Sequence, residues 1–351
     1  MVRMRVSRDR HRVVKGLCIV ALLLFTRGGR AEGTPRAEHP RPDMMREQWL
    51  SLNGVWDFAE TDDDTDETFL GDISYPDEII VPFCRESSLS GLGRLGFVRN
   101  VWYRRSFALP DNWAGKRVLV HIGACDWKTR VWINGVFLGE HRGGNAPFSF
   151  ELTKHLGTAE NTIVIHAFDD LRSGMQAGGK QSSREESHGC FYTRTTGIWQ
   201  TVWLEAVGSS FIRQYIVTPD VANSRVMIQV DVDGSRQGLM IFAEAVVEGK
   251  VAAKAATRAD GQSNILTLNL GKKQRLWSPE EPFLYDLDLR LLEGKTELDR
   301  LRGYFGLRSV SIQGAAILIN GRATFQRLVL DQGFYPEGIW TAPSDEALKR
   351  D

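Results

Sequence analysis

Thr129-Arg130-Val131-Trp132-Ile133-Asn134-Gly135-Val136-Phe137-Leu138-Gly139 decides the fold class of this chain. A β-branched and aromatic run ends at Asn134-Gly135, and a second apolar run follows at once. Asn and Gly tolerate the positive φ that a two-residue hairpin turn demands, so this pair is the strongest short-range hairpin signal. Working outward, the same kind of segment recurs at residues 118–123 before the hairpin and at 148–152, 162–168 and 201–205 after it. Each is short and each is bounded by turn residues. No stretch before about residue 340 keeps a helical period. Regular short strands with turns between them predict a sandwich or a barrel.

A second β region opens near Phe211. Residues 226–232, 241–247, 264–270 and 284–289 read as strands, with the spacing of an immunoglobulin-like sandwich of about 100 residues. Val207-Gly208-Ser209-Ser210 reads as the linker between the two. A third region begins at residue 310. Ile317-Leu318-Ile319-Asn320-Gly321-Arg322 is another hairpin, residues 325–330 form an apolar strand ending at Asp331, and Ala342-Pro343-Ser344-Asp345-Glu346 reads as a helix entry. Pro at the entry and acids in the first turn suit a helix N-terminus. Strand, loop and helix start are how a βα unit begins, but a (β/α)8 barrel takes about 250 residues. The expected division is 1–31, 40–207, 208–309 and 310–351.

Residues 1–31 read as a signal peptide. Arg3, Arg5, Arg8, Arg10, Arg12 and Lys15 form a basic region, residues 16–25 an apolar one, and Gly29-Arg30-Ala31 a small-residue cleavage site. The apolar run is shorter than the roughly 20 residues that cross a bilayer. An uncleaved amphipathic anchor is the other reading. Export to the periplasm or the exterior is expected, with no membrane contact after cleavage.

Composition narrows the partners. Lys+Arg and Asp+Glu are both 44, so the formal net charge is zero and the basic excess of a nucleic-acid binder is missing. Outside the leader, Cys84, Cys125 and Cys190 allow at most one disulfide, and their scatter does not suit zinc. The acidic run Asp62-Asp63-Asp64-Thr65-Asp66-Glu67 lacks the glycine spacing of a calcium loop and reads as a solvated loop. No GxGxxG, Walker loop or HExxH occurs, so no cofactor or metal is expected. Among the ten Trp, Trp132, Trp199 and Trp277 are expected in the core, since Trp buries so much apolar area.

From Trp49 to the last residue the motifs resemble glycoside hydrolase family 2, the β-galactosidase-, β-glucuronidase- and β-mannosidase-like enzymes. Leu52-Asn53-Gly54-Val55-Trp56-Asp57-Phe58 is similar to the family's opening strand, Val81-Pro82-Phe83 to its Val-Pro segment, and Trp102-Tyr103-Arg104-Arg105-Ser106-Phe107 to its next strand. The order Gly123-Ala124-Cys125-Asp126-Trp127, Val131 to Gly135, Gly139-Glu140-His141-Arg142-Gly143-Gly144, Pro147-Phe148 and Thr196-Gly197-Ile198-Trp199-Gln200 resembles the family's sugar-binding jelly roll. Trp277-Ser278-Pro279 to Tyr285 and Phe305-Gly306-Leu307-Arg308 resemble late strands of its immunoglobulin-like domain.

The resemblance implies a mainly β chain: a jelly-roll, galactose-binding-like sugar domain, then an immunoglobulin-like sandwich, then the first βα unit of a truncated TIM barrel. It implies hydrolysis of β-linked sugars with retention, by two Glu on the fourth and seventh barrel strands, the acid/base one following Asn. No Asn-Glu dipeptide occurs here, so the pair is expected beyond Asp351 and the chain is expected to be inactive in hydrolysis. Two site residues remain, Asp331 and Gln332, at the end of a barrel strand where such active sites are built. The sequence there departs from the family's commoner Asn-Arg-His-Glu pattern. Asp331 either accepts a hydrogen bond from a sugar hydroxyl or caps its loop. The loop at Gly178-Gly179-Lys180-Gln181 and 190–194 either reaches the barrel mouth or stays clear of substrate. A carbohydrate is the expected partner, and family members often form homo-oligomers. The rival reading is a stand-alone secreted carbohydrate-binding or scaffold protein without hydrolase activity.

Overall fold

The computed structural model describes residues 33–62 and 73–351, so the signal-peptide expectation and most of the acidic run at 62–67 lie outside the described residues. Two β-sandwiches follow one another along the chain. In the first, a four-stranded sheet runs Trp49–Ser51, Val202–Val207, Arg117–Ile122, Phe148–Glu151 in spatial order. It faces a six-stranded sheet in the order Asp77–Val81, Gly54–Thr61, Asn100–Ala108, Glu160–Phe168, Lys128–Ile133, Val136–Arg142. All pairings are antiparallel.

Alternation explains which side faces in. In Arg117–Ile122, Val118, Val120 and Ile122 are buried and the residues between them are not, as a pleat with a two-residue period requires. Together with Trp56, Phe58, Tyr103, Val131, Ile133, Ile163, Ile165 and Leu204 they form one core. Each fully buried large apolar side chain is worth about 1.5–3 kcal/mol relative to exposure. Asn134 and Gly135 both take positive φ, 49° and 81°, in the turn between Lys128–Ile133 and Val136–Arg142.

The second sandwich packs Phe211–Asp220, Arg225–Asp233 and Ser263–Asn269 against Lys250–Arg258, Leu239–Val247, Tyr285–Glu293 and Thr296–Phe305. Three strands against four is the count of a constant-type immunoglobulin sandwich. Val226, Ile228, Val230, Ile241, Leu268, Leu287, Leu289 and Leu301 fill its core. Arg46 joins the two sandwiches. It donates to Glu205 Oε2 at 2.8 Å, to both carboxylate oxygens of Asp299 at 3.0 Å and to the Ile212 carbonyl. Arg46, Glu205 and Asp299 are all buried, so their charges are matched inside the protein rather than by water.

The third region departs from expectation. Val310–Gln313, Ala316–Ile319 and Arg322–Ala323 make a small antiparallel sheet, and the Asn320-Gly321 hairpin forms. Residues 325–330 are not a strand. A strand exists through its ladder partners, and among the described residues none lies beside them, so Phe325, Leu328, Val329 and Leu330 stay 86%, 79%, 92% and 84% exposed. The expected βα unit is therefore reduced to its helix, Asp345–Arg350, where the Ser344 hydroxyl caps the Ala347 N–H at 3.3 Å. Between them, residues 331–344 turn back onto the first sandwich. Ser87 Oγ donates to the Glu337 carbonyl at 2.5 Å, and Thr341 Oγ1 lies 2.5 Å from the Trp199 carbonyl and 3.2 Å from that of Pro82.

Candidate functional site

This return brings the two expected site regions together. A cleft of about 510 Å³ opens between the 177–192 loop of the first sandwich and residues 332–340. Tyr192, Trp199 and Trp340 supply aromatic walls; Lys180, Gln181, Gln332 and Asn145 supply polar groups. Trp199 and Trp340 meet edge to face, with ring centroids 5.1 Å apart, and Tyr192 stacks on Phe334 at 4.8 Å. Aromatic faces beside a few directed polar groups are the usual make-up of a small-ligand site.

The loop is tied at several points. Tyr192 N–H donates to the Lys180 carbonyl at 2.8 Å, Ser182 N–H to the Tyr192 carbonyl at 2.6 Å, and His188 and Phe191 exchange backbone hydrogen bonds. Gln181 is buried. Its Nε2 donates to Asp126 Oδ2 at 2.7 Å and its Oε1 accepts from the Thr195 N–H at 2.8 Å. Such bonds explain why a polar, glycine-containing segment holds one shape against the entropy it gives up.

Gln332 lines the cleft and accepts from Lys180 Nζ at 2.7 Å. Asp331 is exposed, and its Oδ1 accepts from the Gly333 N–H at 2.8 Å, an Asx-type turn. Trp132 is buried as expected, at 1% exposure. Trp199 is only half-buried and walls the cleft, and Trp277 is half-buried beneath the Arg308 guanidinium. The core expectation therefore fails for both. Trp340 went unread in the sequence, because nothing local marks a Trp that packs against a partner 141 positions earlier.

No carboxylate among the described residues lines the cleft. Behind its lining, Asp126 accepts from Gln181 and has two further buried acids, Asp169 and Glu86, as neighbours. Burial and the neighbouring Asp169 push the Asp126 carboxyl up to about 8. Burial pushes Asp169 up to about 6, although Gln176 Nε2 at 2.6 Å and Thr196 Oγ1 at 3.0 Å both donate to it. Glu86 is raised by burial against the pull of Arg85 and Arg194. Among the described residues no group of three or more His, Cys, Asp or Glu is arranged to hold a metal ion.

Two family profiles match in tandem. "Glycosyl hydrolases family 2, sugar binding domain" covers residues 95–204, and "Glycosyl hydrolases family 2" covers 210–308. The chain belongs to glycosyl hydrolase family 2. The sugar-binding profile contains the 177–192 loop and Trp199, so most of the cleft's first-sandwich wall is family-2 sequence. The chain is 26% identical over 296 residues to a β-glucuronidase of Paenibacillus borealis, covering 80% of this chain and 48% of that protein. It is 27% identical over 260 residues to a β-galactosidase of Thermoanaerobacter pseudethanolicus, covering 70% and 34%. It thus spans less than half the length of these two relatives. In fold it matches a β-glucuronidase from Ruminococcus gnavus solved with D-glucaro 1,5-lactone, at a TM-score of 0.71 and 19% identity over 87% of this chain and 54% of that one.

Proposed function

We propose that this chain is the sugar-binding part of an exported, exo-acting family-2 glycosidase that hydrolyses β-linked sugars with retention. The cleft between the 177–192 loop and residues 332–340 carries the reading. Its aromatic walls offer faces to a sugar ring, and Lys180, Gln332 and Asn145 offer donors and acceptors to hydroxyls. Retention needs two carboxyl groups about 5 Å apart flanking the scissile bond, one acting as acid then base and the other as nucleophile. Among the described residues the cleft lining has no carboxylate, so this cleft offers groups that hold a sugar and not that pair. The residues present bind and orient the sugar; they do not cleave it.

The test has two arms. Methyl β-D-glucuronide and methyl β-D-galactoside are titrated against the chain with tryptophan emission as the readout, and aryl β-glycosides are offered as substrates. Saturable binding of at least one sugar without hydrolysis is the expected result. Hydrolysis by these 351 residues, or no binding of either sugar, would overturn the proposal.

A further inference from the structure

Two walls of the cleft trace back to one buried side chain. Asp126, in the short strand Cys125–Asp126, is 2% exposed. One of its carboxyl oxygens accepts from Gln181, whose other end is held by the Thr195 N–H. Its other oxygen is packed against Gly144, where any added methyl would overlap the carboxyl group. The Gly144 carbonyl in turn accepts from Trp199 Nε1 at 2.7 Å, and Asn145, the next residue, lines the cleft. Three separate segments, at 144–145, 181 and 199, are thereby set against Asp126.

We propose that Asp126 is a positioning residue for the cleft, fixing Gln181 directly and Trp199 through Gly144 without itself contacting the ligand. Its charge environment is one-sided. Asp169 and Glu86 face it; Arg85 Nη1 at 3.2 Å and Arg194 Nε at 3.8 Å serve Glu86, and Gln176 and Thr196 serve Asp169. The Cys125 thiol on its own strand is buried and pushed up to about 12. Among the described residues no cation pairs with Asp126. Near neutral pH it is an uncharged acid, held up to about 8 by burial and Asp169. The folded protein keeps this proton where the unfolded chain releases it near 3.8. Its contribution to stability therefore falls as pH rises from 3.8 to about 8 and then levels. Above that, a second buried negative charge stands beside Asp169 at the junction that holds the cleft walls.

Amide hydrogen exchange on the whole chain tests this without any ligand. Wild type, Asp126→Asn and Asp126→Ala are compared at about pH 6.5 and about pH 9, corrected for intrinsic rates. Asn has the shape of the neutral acid and cannot ionise, so it keeps protection at residues 143–145, 178–182 and 199 at both pH values. Wild type matches Asn at the lower pH and loses protection there at the higher one. Ala exchanges about tenfold faster at both. Equal behaviour of wild type and Asn across the two pH values overturns the proposal, and that comparison stands even if Ala fails to fold. The inference uses the cleft read above as a sugar site. A pH step confined to wild type, with no sugar bound at either pH, would support Asp126 as positioning residue and overturn the sugar reading alone.

Discussion

Lys180 and Gln332, 152 positions apart, are joined by a hydrogen bond of 2.7 Å across the mouth of the cleft. It ties the loop of the sugar-binding sandwich to the segment that follows the small third sheet. Both residues are exposed, so the bond adds at most about 1 kcal/mol. Lys180→Ala is expected to leave the melting temperature within a degree or two of wild type while weakening sugar binding several-fold, because an exposed single bond counts for little globally. Calorimetry beside a fluorescence titration separates the two effects. A large drop in melting temperature would mean that the contact is structural.

Arg46 is the opposite case. It is 5% exposed and satisfies Glu205 and Asp299 together. Arg46→Ala leaves two buried carboxylates without their cation, a change that costs about 3–5 kcal/mol in buried pairs. Urea unfolding is expected to show a loss of that order. A loss below about 1 kcal/mol would show that water or His121 replaces the guanidinium.

Glu205 gives the junction an acid limit. Burial alone would raise its carboxyl, but the His121 imidazole, its Nε2 3.1 Å from Glu205 Oε2, and the charges of Arg46 and His39 outweigh burial and hold it at about 2, below the ordinary 4.5. A depressed carboxyl stabilises fully above its unfolded value and loses that contribution as pH falls from about 4.5 toward 2. The melting temperature of wild type is expected to fall through this window more steeply than that of Glu205→Gln. Parallel curves would remove Glu205 from the acid response.

Gly197 carries a backbone requirement inside the Thr-Gly-Ile-Trp-Gln motif. Its φ is +83°, and an added methyl would meet the Tyr103 hydroxyl and Val101 Cγ2, both in the core. Gly197→Ala is expected to cost about 2–4 kcal/mol, combining left-handed strain with overpacking. Chemical denaturation measures it, and a neutral result would show that the strand can shift.

Much of the β architecture was legible because period-2 patterning and turn residues are local. The Asn134-Gly135 and Asn320-Gly321 hairpins form where the dipeptides stand, with φ of 49° and 81°, and 51° and 74°. Lys250–Arg258 was not read, since its Ala-rich run has little β-branched content and it becomes a strand by pairing with Leu239–Val247. Residues 325–330 were over-read for the converse reason: apolar character marks a strand only where partners exist to pair with it. Gln332 lines the cleft and Asp331 stands beside it, although the barrel strand that singled them out does not form. The tie to Lys180, the Trp340 wall and the Asp126 support depend on contacts between distant segments, and no local pattern encodes them.

The most direct measurement is the titration of methyl β-D-glucuronide and methyl β-D-galactoside into wild type and Trp340→Ala, followed by tryptophan emission. A sugar site in this cleft gives saturable binding to wild type, with Kd of about 1 mM or tighter, and loss of at least about tenfold in Trp340→Ala, since an aromatic wall facing the ring is removed. Binding that is unchanged in Trp340→Ala, or absent in wild type for both sugars, would contradict it.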